Sequence, residues 1–217
     1  MKIIPAILTD DPEDFRNKLS QAERVTDFAQ IDIMDGRFVP SQSVGQDVLS
    51  KIKSPIGLEF HLMVDAPQDY LAAARSSCVK RVIFHYEACA PGQGANRPAP
   101  RQIIEAIRAL GMQAGLAINP QTPTEDVEAL LGEIDLLLFL SVNPGYYGSP
   151  FIPAVLDKAK RLSGQRRNFL LGLDGGVKKE NIRAIRDAGL DIAYVGSGIF
   201  KGGAPQDNYR ELNKIIC

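Results

Sequence analysis

The sequence predicts a single (β/α)8 barrel, or TIM barrel, in which residues 1–217 form one domain. Short apolar segments alternate strictly with longer segments of helical periodicity, which is typical of a parallel sheet with crossover helices. Eight such pairs fit into 217 residues at roughly 27 residues per pair, which is compact but sufficient. An open doubly wound sheet is the alternative, and the absence of a GxGxxG motif after the first strand disfavours it.

The eight predicted strands are nearly continuous in hydrophobicity, as is typical of parallel strands that are buried on both faces. They are Lys2–Leu8, Phe28–Met34, Ile56–Met63, Arg81–His85, Gln113–Ile118, Leu136–Ser141, Phe169–Leu173 and Ile192–Val195.

Local signals mark several of the helices between these strands. Pro12 follows Asp11 at the start of the first helix, and Pro67 opens the third, near residues 66–77. Acidic residues open the fifth at Thr124, and Gly189 predicts the end of a helix at residues 179–188. The Gly- and Pro-rich stretch from Cys89 to Pro100 predicts an extended loop after the fourth strand.

Composition and charge exclude several classes of partner. The net charge of −1 provides no basic field for nucleic acid or an anionic membrane. No apolar run is long enough to span a bilayer, and the acidic N-terminal segment does not resemble a signal peptide. Cys78, Cys89 and Cys217 lack metal-type spacing and favour free thiols in a reducing environment. We therefore expect a cytoplasmic protein whose anionic ligand is held by local groups.

Polar residues at the ends of strands are the candidates for chemistry, because active sites of this fold lie at the carboxyl ends of the strands. On the second strand, Gln30, Asp32 and Met34 alternate with isoleucines and are expected to face the barrel axis. A carboxylate inside a barrel is costly unless it is paired or binds a metal. The alternative for Asp32 is a capping role at the strand end, and Asp35 before Gly36 is better explained as a turn residue.

Two histidines end the next two strands. A lone histidine is more often structural than a ligand, but His61 follows the Asp32 strand in order and becomes a candidate ligand. Met63 ends the same strand. For His85, packing and support of the site remain open as equal alternatives.

The seventh and eighth strands end in glycine-rich turns. Asp174 precedes Gly175 and Gly176, and Gly196 and Ser197 follow the last strand. Glycines let the backbone approach a ligand closely, and the loops after strands 7 and 8 commonly bind phosphate in this fold. The sequence thus predicts a barrel of the phosphate-binding type.

A segment after the sixth strand is predicted to be a mobile lid over the site, with a simple turn as the alternative. Its candidate substrate-binding residues are Asn143, Gly145, Tyr146, Tyr147 and Gly148.

Read in order, these motifs resemble ribulose-phosphate 3-epimerase over nearly the whole chain. They are Pro5-Ala6-Ile7-Leu8, Ile31-Asp32-Ile33-Met34-Asp35-Gly36-Arg37-Phe38-Val39-Pro40, His61-Leu62-Met63, Ser141-Val142-Asn143-Pro144-Gly145, Phe151-Ile152-Pro153, Asp174-Gly175-Gly176 and Gly196-Ser197.

The resemblance implies an epimerase that interconverts D-ribulose 5-phosphate and D-xylulose 5-phosphate. It implies that Asp32 and Asp174 are the two acid/base residues, that both hold a divalent metal with His61, and that Met34 and Met63 line the site. We also expect His61 and the glycine-rich turns to contact the substrate. We also expect a homo-oligomer.

The sequence departs from the family pattern at four places. Gln30 stands where the family has its first histidine ligand, Ala6 replaces a serine, Leu140 replaces a methionine, and Tyr146-Tyr147 changes the lid. Two hypotheses follow for Gln30. Either an amide oxygen weakens zinc binding and favours manganese, magnesium or iron, or the site is metal-free and Gln30 donates a hydrogen bond to the enediolate.

Three other functions are alternatives. An epimerase of another ketose phosphate, such as allulose 6-phosphate, is compatible with the altered lid and Ala6. A barrel that binds phosphosugars without turnover is compatible with Gln30 and Ala6. Decarboxylases similar to the orotidine-phosphate group carry an Asp-x-Lys-x-x-Asp motif, and the segment from Asp32 to Asp35 has no lysine.

Overall fold

A closed barrel of eight parallel strands forms the centre of the molecule in the computed structural model, which describes residues 1–77, 79–89, 97–145 and 149–217. Each strand pairs in parallel with its neighbours in the sequence, and the first strand pairs with the last. This topology confirms the predicted fold class. The strands are β1 (Lys2–Ile7), β2 (Phe28–Met34), β3 (Gly57–Met63), β4 (Arg81–His85), β5 (Gln113–Ile118), β6 (Leu136–Leu140), β7 (Leu170–Asp174) and β8 (Ile192–Val195).

The observed strand bounds differ from the predicted ones by one residue at a few ends. The shift that matters for the site is in β7, which runs from Leu170 to Asp174 rather than from Phe169 to Leu173. Asp174 is therefore the last residue of the strand, and its position is fixed by the pairing with Leu140 and Tyr194.

Eight α-helices and three 3-10 helices connect the described strands. The α-helices are α1 (Pro12–Glu23), α2 (Gln46–Leu49), α3 (Leu71–Ser76), α4 (Pro100–Ala109), α5 (Val155–Ser163), α6 (Ile182–Asp187), α7 (Ser197–Phe200) and α8 (Pro205–Ile216). The 3-10 helices are Pro67–Tyr70, Tyr86–Ala88 and Thr124–Glu133. In this described part of the chain, no helix combines the length and the apolar composition that a membrane crossing requires.

The helix signals in the sequence are confirmed at several ends. Asp11 caps α1 by accepting a hydrogen bond from the backbone of Glu13 at 2.7 Å, and Pro12 is the first helical residue. Gly189 follows α6 with a φ of +81°, the left-handed conformation that ends a helix at low cost in a glycine.

The predicted fifth helix forms with a different geometry. The segment Thr124–Glu133 is a 3-10 helix, and its buried residues are Thr124, Val127 and Leu130. Their spacing of three matches the three residues per turn of a 3-10 helix, so one face stays buried without the α-helical period. The acidic start indicated a helix but could not indicate this period. The predicted loop from Cys89 to Pro100 lies mostly outside the described residues, and α4 begins at Pro100.

The barrel wall separates two apolar cores. Ile31 and Ile33 of β2 belong to the large core between the strands and the helices. Inside the barrel, a smaller apolar cluster consists of Ile4, Ala6, Ile83, Ala117, Leu136, Leu138, Ile192 and Tyr194. The alternation along β2 therefore turns Gln30, Asp32 and Met34 toward the interior, as the sequence predicted.

Candidate active site

Three titratable side chains meet at the carboxyl end of the barrel. Asp32 and His61 are directly paired across β2 and β3, and Asp174 reaches the same point from β7. The Nδ1 atom of His61 lies 3.0 Å from Asp32 Oδ1 and 3.2 Å from Asp174 Oδ2. One ligand atom from each of the three residues lies within 4.8 Å of the other two. Strands β1 and β8 separate the two strands that carry the carboxylates.

The side chain of Gln30 bridges the two carboxylates. Its Nε2 atom donates to Asp32 Oδ1 at 2.8 Å and to Asp174 Oδ2 at 2.7 Å. The Oε1 atom is buried and has no hydrogen-bond partner among the described residues. The sequence left open whether Gln30 ligates a metal. In this orientation Gln30 presents a donor to the cluster, and an amide N–H group does not ligate a metal.

The donor set of the three titratable residues fits a divalent cation. Two carboxylate oxygens and one imidazole nitrogen converge on one point, and such mixed sites suit zinc, iron and manganese. Gln30 would join them only if its amide turned over and brought Oε1 to the carboxylates. In that orientation the metal ion would be the partner that Oε1 now lacks.

Burial and charge shift the protonation equilibria of this cluster. Burial and the neighbouring charge of Asp174 raise the pKa of Asp32 to about 6, against the opposing hydrogen bonds from His61 and Gln30. Burial by itself lowers the pKa of His61, but hydrogen bonds to Asp174 and Asp32 raise it to about 9. The cluster thus holds its protons near neutral pH, where a carboxyl group can both accept and release one.

A second histidine and a glutamate extend the cluster into the barrel wall. His61 Nε2 lies 3.0 Å from His85 Nε2, and His85 Nδ1 lies 3.3 Å from Glu87 Oε2. The backbone N–H of Asn119 donates to Glu87 Oε1 at 2.7 Å. The sequence left the role of His85 open and missed Glu87. The signal that could have found Glu87 is an acidic residue two positions after a strand-end histidine.

A cavity opens in front of the carboxylates. Its wall consists of apolar side chains near the carboxylates and of glycine-rich backbone on the other side. The described residues that line it are Leu8, Asp32, Met34, Met63, Leu140, Val142, Pro144, Gly145, Ser149, Asp174, Gly175, Gly176, Val177, Lys178, Tyr194, Gly196 and Ser197. His61 is fully buried behind the carboxylates and is not among these described residues, which favours a ligand role over direct substrate contact.

The glycines on this wall are required by close packing. Gly175 has a φ of +105°, and a Cβ atom there would lie 2.6 Å from the side chain of Val142. Gly145 has a φ of +110°, and its Cβ would lie 2.7 Å from Pro40 Cδ. A Cβ on Gly198 would lie 3.0 Å from the carbonyl oxygen of Val177, so the two glycine-rich turns are in contact. A side chain at any of these three positions would collide with its neighbour, which explains the glycines.

Two further residues of the site were missed by sequence reasoning. The hydroxyl of Ser141 donates to the carbonyl oxygens of Asp174 at 2.8 Å and Gly175 at 2.6 Å, which holds the end of β7 in place. Lys178 is the one basic residue among the described residues that line the cavity. Lys178 follows Gly176 by two positions, and a lysine so close to a predicted phosphate-binding turn is the signal that the sequence offered.

The predicted lid is only partly described. Asn143 is exposed, accepts a hydrogen bond from Gln121 Nε2 at 2.9 Å, and is not among the described cavity residues. Tyr146, Tyr147 and Gly148 lie outside the described residues. Gly145 lines the cavity.

Comparisons with known proteins agree with this geometry. The Ribulose-phosphate 3 epimerase family matches residues 2–200. The chain is 31% identical over 208 residues to a ribulose-phosphate 3-epimerase of Bacillus subtilis, with 92% of each chain covered. It is 30% identical to the cytoplasmic isoform of that enzyme from Oryza sativa, over 99% of this chain and 94% of the relative.

Solved structures support the fold. A 3-hexulose-6-phosphate synthase from Salmonella typhimurium superposes with a TM-score of 0.70 at 14% identity, over 100% of this chain and 98% of that one. This likeness concerns the barrel alone. The family match spans residues 2–200, a range that includes Asp32 and Asp174, and the two relatives match 92% and 99% of this chain, so the chain belongs to the ribulose-phosphate 3-epimerase family and is an epimerase.

Proposed function

We propose that this protein interconverts D-ribulose 5-phosphate and D-xylulose 5-phosphate by inverting C3, with residues 1–217 acting as one catalytic domain in the cytoplasm. The observation that carries the proposal is the pair of buried carboxylates, Asp32 and Asp174, which line one cavity from two different strands. The names of the relatives supply the substrate, and one of them is a cytoplasmic isoform.

The chemistry follows from the position of C3 beside the C2 ketone. One carboxylate removes the proton from C3, and the electrons of the broken C–H bond move through C2 to the ketone oxygen. The resulting enediolate is planar at C3. The other residue, in its carboxylic acid form, delivers a proton to the opposite face of C3, and the electrons return from the oxygen. The configuration is inverted, and the two carboxyl groups have exchanged their protonation states.

The neighbours of the carboxylates tune this exchange. Because the pKa of Asp32 is raised to about 6, its proton is easily gained and lost at neutral pH. Gln30 donates to both carboxylates and holds them at one level of the barrel. Met34, Met63 and Val142 provide apolar walls that keep water from the enediolate.

One divalent cation is part of the proposal, with zinc, manganese, iron or magnesium as candidates. Asp32, His61 and Asp174 would hold it. When bound, such an ion acts as a Lewis acid that stabilises negative charge on the substrate oxygens. If the Gln30 amide turns so that its oxygen faces the cation, that oxygen ligand favours the harder ions over zinc.

The phosphate group is proposed to bind at the glycine-rich side of the cavity. Gly175 and Gly176 after β7, with Gly196 and Ser197 after β8, bring backbone N–H groups to one wall. Lys178 adds a positive charge at the same wall.

Lys178→Ala is expected to raise KM for the sugar phosphate about 10-fold and to leave kcat nearly unchanged. The reason is that a lysine–phosphate contact far from C3 contributes about equally to substrate and transition-state binding. Initial-rate kinetics measure both constants. Lys179→Ala is the matched control, because Lys179 is the neighbouring lysine and is paired with Glu211 on the surface. Equal effects of the two substitutions would contradict the assignment.

The substrate is tested by initial rates on a panel of ketose phosphates. We expect kcat/KM to be highest for D-ribulose 5-phosphate and D-xylulose 5-phosphate, with allulose 6-phosphate well below them. A preference for allulose 6-phosphate would move the assignment to that substrate. If no ketose phosphate incorporates deuterium at C3 in deuterated water with any of the four metals, the protein is a phosphosugar-binding barrel without turnover.

A further inference from the structure

A continuous chain of buried polar groups runs from the candidate metal site into the barrel wall. It consists of His61 on β3, His85 at the end of β4, and Glu87 in the following 3-10 turn. Both imidazole side chains are fully buried, and their ring planes are only 20° apart, so the rings meet edge to edge through their Nε2 atoms. The proposed reaction does not use His85 or Glu87 directly.

Glu87 is held in place as a hydrogen-bond acceptor. Its Oε1 atom accepts from the backbone N–H of Asn119 at 2.7 Å and also contacts the hydroxyl of Thr122. Its Oε2 atom faces His85 Nδ1. Although burial raises the pKa of the Glu87 carboxyl, its contacts with His85, Asn119 and Thr122 together hold that pKa below its ordinary value.

A fixed acceptor at one end determines the hydrogen positions along the whole chain. Because a carboxylate only accepts, His85 must carry its proton on Nδ1, and a neutral His85 then offers a lone pair on Nε2. His61 must therefore donate from its own Nε2 across the 3.0 Å contact. When His61 is neutral, as a metal ligand must be, its Nδ1 atom, which faces Asp32 and Asp174, is left with a lone pair.

A lone pair that faces two carboxylates is repulsive unless a proton or a metal ion lies between them, so a cation that binds here takes the place of the Nδ1 proton. We propose that Glu87 and His85 are positioning residues that fix the tautomer of His61 so that its Nδ1 atom is open to a divalent cation. This inference rests on the proposed function for the presence of that cation. Partners behind a ligating histidine typically change metal affinity 10- to 100-fold when they are lost.

Glu87→Gln gives the sharpest test, because it exchanges the donor and acceptor roles along the row of hydrogen bonds instead of only removing a contact. The N–H of Asn119 holds the oxygen of the new amide, so its NH2 group turns toward His85 Nδ1. His85 then has to accept on Nδ1 and carry its proton on Nε2. His61 is forced to accept on Nε2 and to carry its proton on Nδ1, which blocks the ligand position.

The tautomers are directly readable, since the chain has only two histidines. Long-range ¹H–¹⁵N correlation spectra of the ¹⁵N-labelled, Zn²⁺-loaded protein are expected to show His85 protonated on Nδ1 and His61 protonated on Nε2. In the Glu87→Gln variant we expect the opposite pattern for His85, and a Zn²⁺ affinity, measured by competition with a chelator, that is about 10- to 100-fold weaker.

Two control variants isolate the effect. Thr122→Val removes the other side-chain partner of Glu87 but keeps the carboxylate on His85, and it should leave the tautomers unchanged. Glu105→Gln neutralises an exposed carboxylate on α4 and should change neither the tautomers nor the Zn²⁺ affinity.

The inference is overturned if wild-type His85 carries its proton on Nε2, a measurement that does not depend on any variant folding. It is also overturned if a folded Glu87→Gln variant keeps the wild-type tautomers and Zn²⁺ affinity. The proposed function can fail separately. A wild-type protein with the expected tautomers and no turnover of any ketose phosphate would refute the proposed function but not the positioning role of Glu87 and His85.

Discussion

Asp32→Asn and Asp174→Asn are each expected to lower kcat/KM for epimerisation by a factor of about 1,000 to 10,000. Each substitution removes a group that transfers a proton at C3, and positioned general acids and bases contribute factors of this order. The loss should be similar in both reaction directions, because inversion needs one group on each face of C3. Coupled assays run from ribulose 5-phosphate and from xylulose 5-phosphate measure it.

The two variants should also differ from one another in a defined way. Each keeps the carboxylate on one face of C3, so residual exchange of the C3 proton with solvent should be confined to one epimer. The exchanging epimer should be different in the two variants. Asp157→Asn, which alters an exposed carboxylate on α5, is the control and should retain wild-type rates. Retained epimerisation in either site variant would refute the role of that residue.

Removal of divalent cations is expected to lower epimerisation at least about 100-fold. The chelated protein would keep both carboxylates but lose the charge that stabilises the enediolate. Add-back should restore activity, and Mn²⁺, Fe²⁺ or Mg²⁺ should be more effective relative to Zn²⁺ than in the Gln30→His variant. An imidazole at position 30 would supply a nitrogen ligand where the amide now presents its N–H group, and it should raise Zn²⁺ affinity.

The alternative for Gln30 predicts the opposite result. If the amide Nε2 that now bridges Asp32 and Asp174 instead donates to the enediolate, the chelated protein should be fully active. Metal content measured on protein purified without chelator complements the activity assay. Stoichiometric bound metal, with loss of activity on its removal, would exclude the metal-free site.

The main features of the fold could be predicted because the signals were local. Eight apolar segments marked the strands within about one residue, and the alternation along β2 showed which side chains face the axis. The same alternation, with the rule that chemistry lies at strand ends, selected Asp32, His61 and Asp174, which the structure brings together.

The features that sequence reasoning missed depend on the three-dimensional arrangement. Gln30 and Asp174 are 144 positions apart, and their hydrogen bond exists only because the closed barrel brings β2 and β7 to one level. The contact of Glu87 with Asn119 likewise crosses 32 positions. The position of Asn143 is also a tertiary feature, since this predicted substrate-binding residue is exposed and accepts a hydrogen bond from Gln121.

The partition of deuterium during the first turnovers in deuterated water tests the central claim most directly. If separate carboxyl groups act on the two faces of C3, early product should carry solvent deuterium at C3 in nearly every molecule, while unreacted substrate keeps its protium. Product that retains the substrate's protium, or deuterium that accumulates in substrate faster than product forms, would contradict a two-residue inversion by Asp32 and Asp174.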